Sequence, residues 1–273
     1  MNKIIKVASI LIFAGFSFFY TEKVTTIIKE NDPIMKKIHE KEKEITVSKI
    51  EPIVMNDEYI TGINGCKIDV SKSYNKMKND GSYKEELIVF TEDEVGSYDK
   101  YIVGGNKENR KVSIIFLNLL NKNLNDYFKE KNIKINYFFD GEFINDNIDI
   151  LKEVRSYSRI YNYGRNNNYD SKYLTYDNYI IKKYFNESNY CLVTEKNDKK
   201  IDICNSYKMK MIKTNLIIDN YYNYIKENLS NGKIFLIDKI NNNEGKVIMN
   251  YILSKGYEIV YLDELLNTKK ECN

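Results

Sequence analysis

This chain of 273 residues has one histidine, His39, and that count closes off several chemistries at once. A two-histidine metal centre needs an imidazole the chain does not have, and a catalytic triad or a histidine general base could draw only on His39. Four cysteines, Cys66, Cys191, Cys204 and Cys272, form no C-x-x-C pair, which argues against a thioredoxin-type motif or a structural zinc site. The carboxylates Asp140, Glu142 and Asp238 remain candidates for proton transfer. With asparagine neighbours they would suit a hard cation held loosely rather than a zinc-type hydrolase, or they are solvated loop acids. Aromatic residues are plentiful, with 24 Tyr, 12 Phe and no Trp. Tyr157, Tyr161, Tyr163, Tyr169, Tyr173, Tyr176 and Tyr179 cluster with Asn162 and with Asn166 to Asn168. Aromatic faces beside amides are what a sugar groove uses; the alternative is compositional bias carried on a polar loop.

Whatever these residues do depends on the elements that hold them. The formal net charge is +3, with lysine interspersed among acids and no basic block, so nucleic acid is excluded as a partner. Residues 1–20 open with Lys3 and Lys6 and continue apolar from Val7 to Tyr20, without an A-x-A cleavage pattern. This reads as an uncleaved signal-anchor that places the bulk of the chain outside the cell membrane, spanning it once. Residues 21–50 read as a solvated stalk helix. Asp32-Pro33 marks its start, Ile34, Ile38 and Ile45 recur among charges, and His39 is an exposed polar residue on it.

Residues 51–108 read as a small α+β lead-in, with short strands around Tyr59–Gly62, a helix from Ser71 stopped by Gly81, and a strand over Leu87–Phe90. From 109 to 273, strands alternate with helices. Strands are expected at Val112–Leu117, Ile135–Phe139, Tyr190–Thr194, Ile234–Ile237 and Ile259–Leu262. Helices are expected at Leu119–Asn132, Asn147–Arg155, Tyr179–Phe185, Tyr221–Leu229 and Gly245–Ser254. That alternation predicts an α/β, barrel-like domain of parallel strands with its functional surface at the strands' carboxyl ends. Ile201–Cys204 is a further short apolar segment. Export favours a disulfide between Cys191 and Cys204 across the polar turn at Lys196–Lys199, although four cysteines allow three connectivities and Cys66 and Cys272 stay unassigned.

The last segment carries a resemblance. Asn231-Gly232-Lys233-Ile234-Phe235-Leu236-Ile237-Asp238, a helix over Gly245–Tyr251, and Lys255-Gly256-Tyr257-Glu258-Ile259-Val260-Tyr261-Leu262-Asp263-Glu264-Leu265-Leu266 resemble the end of a polysaccharide deacetylase (NodB-homology) domain. The resemblance implies a NodB-like distorted (β/α) barrel over 109–273, preceded by the anchor, the stalk helix and the lead-in. It also implies a divalent metal such as zinc, held by Asp-His-His, for hydrolysis of sugar acetamides. The positions that should carry this chemistry have changed. The first motif, a T-F-D-D at a strand end, reads Ile115-Phe116-Leu117-Asn118, so Leu117 stands for the base and Asn118 for a metal ligand. Against H-[ST]-x-x-H the chain sets Tyr163 and Asn167. The R-P motif falls near Lys213-Thr214, and the late histidine, the family's general acid, is Asp238.

No cofactor is therefore expected. The chain reads as a membrane-anchored, extracytoplasmic relative of the deacetylases in cell-wall or surface carbohydrate metabolism, catalytically degenerate and glycan-binding through Tyr161, Tyr163, Asn166, Asn167 and Asp140. The alternatives are an active, divergent carbohydrate N-deacetylase with a rearranged site, and a non-catalytic interaction scaffold.

Overall fold

The computed structural model describes residues 17, 20, 21, 23–165, 169–185, 190–194, 198–215, 220–269 and 272. The expected anchor, save Ser17 and Tyr20, lies outside the described residues. Among the described residues no helix is long and apolar enough to cross a membrane. The chain divides into two compact units, one of residues 1–49, 64–94 and 270–273, the other of 50–63 and 95–269. Stretches of the expected lead-in thus fall in both units rather than forming one consecutive module.

In the first unit the helix Pro33–Ile45 starts where Asp32 and Pro33 predict, with Asp32 Oδ1 accepting from Ile34 N at 2.8 Å. It is not a solvated rod. Met35 and Ile38 are buried against Ile68, Tyr74 and Met77, because their spacing places them on one helical face. His39 lies half-exposed on the helix, with Nδ1 3.1 Å from Glu42 and Nε2 3.4 Å from Glu30. A second helix, Val70–Asp80, is capped by Asp69 rather than started at Ser71, and Gly81 ends it with φ 81°. The antiparallel strands Gly65–Ile68 and Phe90–Asp93 complete the unit. The strand expected at Leu87–Phe90 is displaced by a 3-10 turn at Glu85–Leu87. Cys66 is bridged to Cys272.

The second unit holds ten strands and eight helices among the described residues. In chain order they are β1 (Ile53–Met55), β2 (Glu58–Ile60), β3 (Tyr101–Gly104), β4 (Lys111–Leu117), α1 (Lys122–Glu130), β5 (Ile135–Phe139), α2 (Gly141–Asp146), α3 (Ile148–Val154), β6 (Ser158–Asn162) and α4 (Ser171–Tyr184). There follow β7 (Tyr190–Val193), α5 (Asp198–Ser206), β8 (Lys210–Lys213), α6 (Tyr221–Asn228), β9 (Ile234–Ile237), α7 (Asn242–Ser254), β10 (Glu258–Ile259) and α8 (Leu262–Leu265). One sheet runs β9-β4-β5-β6, with β10 also on β4, and every pairing is parallel. The other runs β1-β2-β3-β8-β7, parallel except for the β1–β2 pair.

Alternation along β4 explains how the layers form. Val112, Ile114 and Phe116 pack with Leu124, Phe128 and Ile248 of the helices. Ile115 and Leu117 face the other way, into a cluster with Phe138, Tyr161, Leu192, Leu236 and Leu262 that draws on both sheets. Inside it Asn136 is fully buried yet satisfied: its Nδ2 donates to Ser113 Oγ (2.9 Å) and Ile114 O (3.1 Å), and its Oδ1 accepts from Leu262 N (2.9 Å).

Several elements differ from expectation. Ile201–Cys204 is helical, within α5, and not a strand; a four-residue apolar run cannot distinguish the two states by period. β6 and β8 carry too many polar residues to read as strands from pattern. The expected strand Ile259–Leu262 stops at Ile259, because Leu262 already opens α8. α4 begins eight residues before the expected Tyr179, at Ser171. Cys191 and Cys204 are bridged, joining β7 to α5.

Candidate functional site

The carboxyl ends of β9, β4, β5 and β6 form one edge, because Ile237 pairs with Phe116, Leu117 with Phe138, and Phe139 with Asn162. Leu117, Asn118, Asp140, Tyr163 and Asp238 therefore stand at or just beyond neighbouring strand ends. Leu117 and Tyr163 are buried in the apolar cluster between the sheets. Asn118 turns the chain at φ 48°, a left-handed conformation that asparagine tolerates. Its amide donates to Phe138 O at 2.8 Å, and its Oδ1 accepts from Asp140 N at 2.8 Å. Asp140 caps α2, with Oδ1 accepting from Glu142 N at 3.0 Å. Asp238 accepts a hydrogen bond from the Tyr221 hydroxyl. Burial, reinforced by that carboxylate, pushes the Tyr221 phenol up to about 12, so it stays a donor.

Beyond β6 the backbone interlocks with β5. Tyr163 N donates to Phe139 O and Gly141 N to Gly164 O, both at 2.8 Å. The buried Asn162 Oδ1 accepts from Gly164 N at 2.7 Å. Arg165 then reaches Asp177 of α4, with Nη2 2.9 Å from Oδ1 and Nε 3.2 Å from Oδ2, while Asn145 Nδ2 donates to the same Oδ1 at 2.9 Å. The Arg165 guanidinium also lies 4.1 Å over the Tyr173 ring. Asp177 was not foreseen as part of the site. A carboxylate at the core-facing spacing of Leu174, Asp177 and Ile181 was the available sign.

The remaining predicted residues fare differently. Asn166 and Asn167 lie outside the described residues. Lys213 ends β8 in the other sheet, where its ammonium pairs with Glu58 and sits 5.5 Å over the Tyr101 ring. Tyr161 and Tyr163 are not open stacking faces. Their rings are enclosed, and the Tyr161 hydroxyl donates to Asp263 Oδ2 at 3.3 Å, its pKa raised well above the usual value by burial and then by Asp263. Tyr157 and Tyr169 are buried too, whereas Tyr176 and Tyr179 on α4 are 54% and 58% exposed.

A divalent metal does not fit the described residues at this edge. Among the described residues no three of His, Cys, Asp and Glu come together to hold one. Leu117 offers no donor, Asn118 Oδ1 already accepts from Asp140 N, and Asp238 already accepts from Tyr221. What the edge presents is amides, hydroxyls and capped carboxylates: a surface for hydrogen bonding rather than for generating a hydroxide.

No family model matches the chain. Among curated proteins, an uncharacterized protein YlxY of Bacillus subtilis (strain 168) is 23% identical over 146 residues, which span 47% of this chain and 44% of that relative. Among solved structures, a CE4 family pseudoenzyme from Bacillus anthracis superposes with a TM-score of 0.60 at 17% identity, covering 88% of this chain and 97% of that one. A peptidoglycan N-acetylglucosamine deacetylase gives 0.53 at 15% identity, over 63% and 94%. Bacillus subtilis PdaA, a family 4 carbohydrate esterase, gives 0.51 at 14%, over 62% and 85%. The chain thus has the fold of the CE4 polysaccharide deacetylases, active and pseudoenzyme alike, in the divergent form that the C-terminal signature and the missing histidines indicate.

Proposed function

We propose that this protein is a catalytically degenerate, glycan-binding relative of the polysaccharide deacetylases, held at the outer face of the cell membrane by its N-terminal segment. The observation that carries the reading is the strand-end edge. Of the five places that should supply base, ligands and acid, the four described ones hold Leu117, Asn118, Tyr163 and Asp238, and the polar ones are engaged by neighbouring groups. Acetamide hydrolysis at neutral pH needs a polarised carbonyl and an activated water, and neither has a source among these side chains. Retention of the fold without its chemistry favours binding. The exposed rings of Tyr176 and Tyr179, one helical turn apart on α4, offer faces on which sugars can stack. The basic start, the apolar run to Tyr20 and two disulfides support an extracytoplasmic location.

The test is to incubate the protein with N-acetylglucosamine oligomers, with and without zinc, measuring both acetate release and binding. Binding without acetate, weakened in a Tyr176→Ala/Tyr179→Ala variant, is expected. Acetate release above the buffer control sinks the reading in favour of an active, divergent deacetylase. Neither binding nor release would leave an interaction scaffold.

A further inference from the structure

A cavity of ≈ 320 Å³ lies away from the strand-end edge, at the opposite end of β9. Gly232, Lys233 and Ile234 line it, whereas Asp238 follows the last residue of that strand. Four residues of strand separate Ile234 from Asp238 by about 13 Å. The rest of the wall includes Glu58, Lys107, Lys213 and Tyr224.

The walls are tied together by backbone. Gly105 N donates to Gly232 O and Gly232 N to Lys111 O, both at 2.8 Å, and Asn231 Nδ2 donates to Lys107 O at 2.8 Å. Gly232 adopts φ 77°, and a β-carbon there would stand 2.1 Å from Gly105 O, so no other residue allows this approach. The pocket is preformed, and its size suits one sugar ring.

Its charge is unbalanced. Glu58 neutralises Lys213, and the two side chains are only 30% and 20% exposed. Among the described residues neither Lys107 nor Lys233 forms an ion pair, and the charged residues of the lining, Lys107, Lys213 and Lys233 against Glu58, leave it a net charge of +2. A phosphate monoester carries about −1.5 to −2 at neutral pH, which matches it. Tyr224 and the side chains of Thr214 and Asn231 supply an aromatic surface and neutral hydrogen-bonding groups for a sugar body.

We propose that this cavity is a binding site for a sugar phosphate, with Lys107 and Lys233 holding the phosphate and the polar wall holding the ring. It stands independently of whether the strand-end edge or α4 binds glycan. The experiment is calorimetric titration of the full chain with N-acetylglucosamine 1-phosphate, with N-acetylglucosamine and with inorganic phosphate. The phosphorylated sugar is expected to bind at one site, about tenfold or more tighter than either fragment. A Lys107→Ala/Lys233→Ala variant is expected to lose about tenfold or more in affinity, while a Lys152→Ala control keeps it. Raising salt on the unaltered chain must weaken binding, an arm that does not depend on how the variant folds. Equal affinity for the neutral sugar or for phosphate alone, no loss in the double variant, indifference to salt, or no binding of any probe overturns the proposal.

Discussion

The Asp177 carboxylate lies so close to the first residue of α2 that a β-carbon on Gly141 would stand 2.1 Å from Asp177 Oδ2. The same carboxylate is 1% exposed and takes its charge compensation from Arg165, so glycine, aspartate and arginine form one interdependent unit. Gly141→Ala should displace Asp177 from Arg165. Arg165→Ala should leave a buried carboxylate whose remaining hydrogen bond, from Asn145, does not neutralise it. Each substitution is expected to cost about 3 kcal/mol in urea unfolding, and the double variant less than the sum. Additive losses would separate the two contacts.

Alkaline stability should depend on buried phenols. Tyr157 is pushed up to about 12 by burial and then by Asp126 and Glu153, and Tyr221 to about 12 by burial and then by its bond to Asp238. Both lie above the usual tyrosine value near 10, so the unfolded chain gives up these protons first. Their contribution is complete below pH ~10 and lost as pH rises toward ~12. Tyrosinate absorbance should therefore show a late class of phenols that ionises together with loss of the circular dichroism signal. Tyr221→Phe should remove part of this pH dependence. Ionisation of all tyrosines well before unfolding would contradict it.

The two disulfides should contribute unequally. The Cys191–Cys204 bridge spans 13 positions and the Cys66–Cys272 bridge spans 206. Loop-closure entropy assigns them about 3 and about 5 kcal/mol respectively. Thermal melts of Cys191→Ala/Cys204→Ala and Cys66→Ala/Cys272→Ala variants should rank in that order, with the second pair lowering Tm more.

Asn136 gives a further check on the interior. Asn136→Ala would strip the Leu262 amide of its acceptor and the Ser113 hydroxyl of a donor in the buried interior, at an expected cost of about 3 kcal/mol. Asn136→Asp should be worse, since it loses the donor and buries a charge. A change within ~0.5 kcal/mol would mean that water reaches the site.

How far pattern alone reached can be read from β4 and β6. In β4, β-branched and aromatic residues run without interruption, so the strand, its two faces and its polar exit at Asn118 were legible. In β6, Ser158 and Asn162 are polar but buried, satisfied by Val154 O and the Gly164 amide, and that satisfaction cannot be seen in a string of residue types. The absence of a histidine pair was fixed by composition, which no folding can alter. So were the apolar N-terminal run and the Gly81 stop, because positive φ is a local property of glycine. Tertiary structure decided which tyrosines are open. Tyr161 and Tyr163 are enclosed while Tyr176 and Tyr179 reach solvent, since one face of β6 turns inward and one face of α4 outward. It also decided the placement of Asp177 against Arg165 and Gly141, and the meeting of Lys107 with Lys233, positions 126 apart in sequence. Such pairings depend on which strand ends the sheet brings side by side, and nothing local to either residue encodes that.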